Sequence, residues 1–196
     1  MAYFKDIFDL LLLKEEAYRR VGNDRKTFGK FTIAFLLSHY LSLLLGGIFL
    51  MIVGGIVFPQ FLDLILENTG LLVILYLIIP FLLYGLTFLL TGIPYTIGLL
   101  CGGRPRRYSD FLKVWLYPYT FLAPLMFIPG GSIISTLYNI WSFFTLYKTY
   151  KIIHRLTPRK AGCAVAVNIV ISMFFILIVV IFFSFYAAKN PQVFIK

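Results

Sequence analysis

The chain has 196 residues, of which 60% are hydrophobic and 13% charged, and its mean hydropathy is +0.90. Soluble domains lie nearer half apolar and a quarter charged, so the composition excludes that class. The net charge of +10 would suggest nucleic acid if the basic residues covered a soluble surface, but their placement argues against it. The 30 residues before Phe31 are the longest charge-bearing stretch and leave no room for a soluble catalytic domain. Cys101 and Cys163 form neither a CxxC pair nor a disulfide framework.

Residues 1–30 read as a cytoplasmic segment. Phe4, Ile7, Phe8, Leu11 and Tyr18 share one helical face, with Lys5, Asp6, Asp9, Glu16 and Arg20 elsewhere. The pattern predicts an amphipathic helix, either at the membrane interface or packed on the ends of a bundle. The start, Met-Ala-Tyr-Phe-Lys-Asp, lacks the basic region and apolar core of a cleaved signal, so insertion is expected to begin with the first span.

Four blocks follow that contain no Asp, Glu, Lys or Arg: 31–62, 68–103, 114–147 and 161–188. Each exceeds the roughly 20 residues that cross a hydrocarbon core. Ala34, Ser38, Ser42 and Gly46 repeat every four residues in the first, a smooth strip that lets a neighbouring helix approach. His39 sits beside the strip with no intramembrane acid or second histidine to partner it, which favours hydrogen bonding between helices over a proton relay. In the second block Pro80 and Gly92-Ile93-Pro94 predict bends, and Thr87, Thr91 and Tyr95 present a polar line. Asn139 and Asn168, in later blocks, read as helix-packing residues. The aromatics predict interface belts, with Tyr147 and Tyr150 on one side, and Phe58, Phe61, Phe182, Phe183, Phe185 and Tyr186 on the other.

Charge orients the chain. Seven Lys/Arg precede the first block, and the connection around Asp63 and Glu67 holds none. Arg104, Arg106, Arg107 and Lys113 follow the second block, and Lys148, Lys151, Arg155, Arg159 and Lys160 follow the third. Placing these three segments in the cytoplasm puts 16 of the 18 basic residues there. The third block must then return to its own side, and Pro129-Gly130-Gly131 supplies the turn. The expected fold is all-α: a polytopic helical bundle of five spans near 31–60, 71–101, 112–128, 132–150 and 163–187. The third and fourth are short, and a re-entrant hairpin over 114–147 satisfies the same charge pattern. The N-terminus is then cytoplasmic, and the tail 189–196 is external or lumenal.

The order of features resembles the Yip1 domain family of five-span membrane proteins. The similarity lies in Gly102-Gly103 leading into the basic, aromatic loop Arg104-Pro105-Arg106-Arg107-Tyr108-Ser109-Asp110-Phe111, and in Tyr117-Pro118-Tyr119 through Pro124. It continues in Trp141-Ser142, with His154 thirteen residues after the tryptophan, then Leu156, Thr157 and Ala161. Leu12-Leu13-Lys14-Glu15-Glu16-Ala17-Tyr18 is similar to the family's pre-span segment without its usual proline, and Thr149 stands where glycine is common. The resemblance implies an N-terminus in the cytoplasm and, for eukaryotic members, small Rab-type GTPase partners and roles in vesicle traffic. Those members carry a longer N-terminal segment than the 30 residues here.

Three function classes are weighed. A non-enzymatic module that organises lipid or recruits a protein at the cytoplasmic face accounts for the basic segments, with Arg104, Arg106 and Arg107 as the leading contacts to anionic headgroups or a partner. Lys148, Lys151, Arg155, Arg159 and Lys160 join them, although orientation alone explains many such charges. A transporter, channel subunit or lipid-handling protein is the alternative; the broken helices favour it, and the absence of intramembrane acids weighs against it. An enzyme would need a nucleophile with a base or paired carboxylates, and only interfacial Asp110 with His154 suggests such a pair. The expectation is therefore no catalytic site, no cofactor and no metal, with a homo-oligomer left open.

Overall fold

The computed structural model describes residues 2–57, 67–127 and 130–189. The acidic connection at Asp63, the aromatics Phe58 and Phe61, the turn residue Pro129 and the tail 190–196 lie outside the described residues. The described chain is helical: α1 (Ala2–Leu11), α2 (Glu15–Asn23), α3 (Lys26–Val57), α4 (Thr69–Leu100), α5 (Tyr108–Leu116), α6 (Tyr119–Leu122), a 3₁₀ turn (Ala123–Phe127), α7 (Gly131–Ile152) and α8 (Pro158–Lys189).

Three helices are long and apolar enough to cross a membrane, over Lys26–Val53, Thr69–Leu100 and Pro158–Tyr186. The first, second and fourth charge-free blocks thus become α3, α4 and α8. The third block supplies none of these three helices, and its two arms differ. Its first arm is broken, because Pro118 and Pro124 each lack an N–H and crowd the preceding turn. Helix α5 stops at Leu116, α6 lasts four residues, and the chain tightens into the 3₁₀ turn. The second arm is the continuous 22-residue α7, diluted by Ser, Thr and Asn. Gly130, at φ +83°, allows the reversal between the arms.

Burial is concentrated at one end of the bundle. Ile7 and Leu10 of α1, Tyr18 and Val21 of α2, Phe31 and Phe35 of α3, Phe111 and Val114 of α5, Tyr150 of α7 and Ala164 of α8 form one core. Along α8 the last buried residue is Asn168, and every described side chain over 172–186 is exposed. The far parts of α3 and α4 are similarly bare. Monomeric soluble proteins rarely expose contiguous apolar surface beyond a few hundred Å², and a helix apolar all round belongs in lipid.

The small strip on α3 has its neighbour. Ser38 and Ser42 are buried, and a Cβ on Gly46 would stand 2.9 Å from Phe127 Cδ1, so the 3₁₀ turn occupies the smooth face. Ala34, at the strip's start, is half-buried. His39 stacks on Phe35 with ring centroids 4.1 Å apart, and its Nδ1 lies 2.8 Å from the Phe35 carbonyl. Tyrosines join α3 to α4 near Pro80: Tyr40 donates to the Leu77 carbonyl at 2.9 Å, and Tyr76 to the Tyr40 carbonyl at 3.2 Å.

Candidate functional site

The core and the basic residues meet at the same end. Asp24 begins the construction. It ends α2, donating its N–H to the Arg20 carbonyl, and its carboxylate caps α3 through the Lys26 N–H at 2.9 Å and the Thr27 hydroxyl at 2.7 Å. These donors hold its carboxyl below the usual range, the Thr27 bond being the main cause. Its backbone carbonyl accepts from Lys113 Nζ at 2.7 Å, and that ammonium pairs with Asp110 at 3.0 Å. Lys113 is 1% exposed, so this basic residue of α5 is an internal tie between α2 and α5.

The double glycine closes α4. Gly102 sits at φ +85°, Gly103 donates its N–H to the Gly98 carbonyl at 3.0 Å, and Gly102 donates to the Leu99 carbonyl at 2.9 Å. This is a glycine-terminated helix end that satisfies otherwise orphaned carbonyls. A Cβ on Gly103 would fall 2.5 Å from the Gly98 oxygen and 2.8 Å from His154 Cβ. A Cβ on Gly98 would fall 2.8 Å from His154 Cδ2. Bare backbone is therefore required where α4 meets His154.

His154 holds the basic loop in place. Its carbonyl accepts the Arg104 N–H at 2.8 Å, and its Nδ1 lies 3.2 Å from the Arg104 carbonyl. The ring is fully buried among Tyr95 (5.1 Å), Phe111 (5.2 Å) and Tyr150 (6.0 Å). Burial pushes its pKa down, against a smaller upward pull from the Arg104 carbonyl, so the imidazole stays neutral near pH 7. The Tyr95 hydroxyl, reaching the Arg106 carbonyl, gives the loop a second anchor.

Tyr150, expected from its position to mark the membrane interface, is instead fully buried. Its hydroxyl donates to the Pro94 carbonyl at 2.7 Å and accepts from Asn168 Nδ2, so one phenol joins α4, α7 and α8. Asn168 also donates to the Ala164 carbonyl at 3.1 Å. Asn139 is exposed, and the structure does not bring it to this junction. Trp141 is half-buried and packs on Phe144 at 5.6 Å, its indole Nε1 buried without a hydrogen-bond partner. Thr149, where the resemblance led one to expect glycine, is fully buried, with its hydroxyl donating to the Thr145 carbonyl at 2.7 Å.

Over this core lie the predicted contact residues. Arg104, Arg106, Arg107, Arg155, Arg159 and Lys160 are exposed. Lys148 and Lys151 are half-buried and reach back to Glu15 at 3.2 and 3.0 Å, tying α7 to α2. Those bonds, Lys151 first, hold the Glu15 carboxyl below its usual range. A shallow recess of about 540 Å³ runs from Arg25 past Arg106 and Arg107. Asp110 and His154 do not act together: the carboxylate pairs with Lys113, and the imidazole faces the Arg104 carbonyl. Among the described residues no cluster of His, Cys, Asp or Glu could hold a metal ion. Sequence reasoning missed the roles of Asp24, Lys113, Glu15 and Gly98, whose partners are far along the chain or only backbone.

A helical bundle with its core and charge at one end and bare apolar helices at the other is a multi-pass membrane protein. The family model for the Yip1 domain matches residues 8–181, and the chain belongs to that family. Comparison with curated proteins and with solved structures gives no match.

Proposed function

We propose that this chain is a non-enzymatic membrane organiser that holds a basic face against the anionic cytoplasmic leaflet and recruits lipid or a protein partner there. The observation that carries the reading is the coincidence of the packed core with the exposed Arg104, Arg106, Arg107, Arg155, Arg159 and Lys160. A charge needed only to orient a span requires no ordered support. Here the arginine loop is tied down by His154, Tyr95 and the double glycine. Each juxtamembrane Lys or Arg contributes about 1 kcal/mol toward an anionic surface.

In this reading the N-terminus is cytoplasmic and the C-terminus external or lumenal. Helices α3, α4 and α8 cross, and the broken segment from α5 to α7 enters and returns as two short spans or a re-entrant hairpin. Helix α1 lies at the interface. Ile7 and Leu10 are fully buried in the bundle, whereas Phe4 and Phe8 are about half exposed, each ring resting on Phe121 with its open side toward the headgroup region. A small GTPase is the partner class that the family resemblance implies. Lipid handling is a second reading, favoured by an apolar groove of about 430 Å³ lined by Leu11, Leu122, Leu137 and Trp141.

The test is to extract the N-terminally tagged protein in native lipid discs and identify what co-purifies by mass spectrometry. Anionic lipid or a specific protein, lost when Arg104, Arg106 and Arg107 become Ala, is the expected result. Retention of the same molecules by the triple variant, or a stoichiometric neutral lipid alone, would contradict the proposal.

A further inference from the structure

Among the exposed basic residues, three arginines from separate segments converge on one concave site. Arg19 comes from α2, Arg106 from the loop after α4, and Arg155 from the turn between α7 and α8. Together with Lys151 they line a cavity of about 350 Å³ beside Gly22. The cavity's two acids are already engaged, Glu15 with Lys148 and Lys151, and Asp110 with Lys113. Among the described residues no carboxylate pairs with Arg19, Arg106 or Arg155.

Arg155 is held there by its backbone. Its φ is +54°, a left-handed conformation that residues other than glycine rarely adopt. The turn is fixed on either side by the Leu156 N–H to the Tyr150 carbonyl at 3.3 Å and by the Arg104 N–H to the His154 carbonyl at 2.8 Å. The left-handed backbone, together with these two hydrogen bonds, fixes the direction in which the Arg155 side chain leaves the turn. Arg106 is fixed as well, through its carbonyl and the Tyr95 hydroxyl.

We infer that this cavity is a binding site for a phosphomonoester, either a lipid headgroup or a small soluble phosphate. The inference rests on the reading of the basic end as the working face and assigns that face one specific pocket. Guanidinium groups match phosphate oxygens through paired N–H donors. Three unpaired arginines suit a dianion better than a monoanion: a phosphomonoester carries about −1.5 to −2 near pH 7, a phosphodiester only about −1. The volume is at the lower end of small-molecule sites, which suits a headgroup and not an acyl chain.

The test uses the full chain in phosphatidylcholine discs containing either phosphatidic acid, a monoester, or phosphatidylglycerol, a diester. Retained lipid is counted by mass spectrometry. The expected result is preferential retention of phosphatidic acid. An Arg106→Gln/Arg155→Asn double variant should lower that retention about tenfold. Asparagine tolerates the left-handed backbone at 155, so the turn is preserved. A Lys26→Gln/Lys30→Gln variant removes the same charge from exposed positions outside the cavity and outside the face named above, and should keep most of the retention. Glycerol 3-phosphate that displaces phosphatidic acid would assign the site to a soluble ester, and failure to displace would assign it to the headgroup; either supports the pocket.

Phenylglyoxal labelling of the unmutated protein gives a readout independent of variant folding. Arg106 and Arg155 should be protected by phosphatidic acid, while Arg20, outside the cavity, is not. Equal retention of both lipids, equal loss in both double variants, or no protection at Arg106 and Arg155 would overturn the pocket while leaving a diffuse basic face intact. Retention of no anionic lipid, with no protection of Arg106 and Arg155 by glycerol 3-phosphate either, would overturn the pocket and the lipid-binding reading of the face, leaving protein recruitment to the co-purification test.

Discussion

Gly103 carries the tightest constraint at the basic end, because its missing Cβ makes room for a backbone oxygen and for His154 at once. Gly103→Ala should cost about 1–3 kcal/mol, since backbone cannot rotate away as a side chain can. Thermal unfolding in discs would show the loss. Gly47→Ala, with nothing within 4 Å of its added methyl, should be neutral or slightly stabilising. His154 adds a pH dependence. Its folded pKa is depressed, so below the unfolded value of about 6.5 the unfolded chain binds a proton that the folded one refuses. The stability it contributes is therefore present above pH 6.5 and lost as the pH falls from there toward the folded pKa. Melting temperature in discs, measured between pH 7.5 and 5.5, should fall for the unmutated protein. His154→Asn should flatten that slope, and an unchanged slope would remove His154 as its source.

At the scale of elements, polar ties join the helices at the basic end. Lys113 shows the logic: its ammonium is buried between the Asp24 carbonyl and the Asp110 carboxylate. Asp110→Ala strands that charge and should cost about 2–3 kcal/mol. Lys113→Met replaces the charge with a side chain of similar reach and should cost less. Denaturant unfolding of the two variants would test the order, and the reverse order would show that the tie is not electrostatic. Charge-free runs mark α3, α4 and α8 in the sequence because a bilayer span is a statement about composition. The third block was harder, since hydropathy does not register what Pro118 and Pro124 do to a helix. Tyrosine suits either an interface or a core, and for Tyr150 it is the Pro94 carbonyl and Asn168 that decide for the core. The Glu15 pairs with Lys148 and Lys151 join residues 133 and 136 apart, a distance no local pattern spans. The glycine pair, His154 and the arginine loop were visible as a motif, but not the contacts that explain them.

The whole molecule is asymmetric along the bundle: packing, polar ties and positive charge at one end, bare apolar helix at the other. A membrane turns that asymmetry into sidedness, and the account depends on the basic end facing the cytoplasm. Single cysteines in a background lacking Cys101 and Cys163, labelled on intact cells with an impermeant maleimide, test this most directly. Ser132→Cys, at the far end of the hairpin, and Asn190→Cys, in the tail, should label from outside. Asn23→Cys, on the basic face, should label only after permeabilisation. Protection of Ser132→Cys alone would select the re-entrant hairpin over two short spans. Labelling of Asn23→Cys on intact cells, with Asn190→Cys protected, would place the basic face outside and contradict the account.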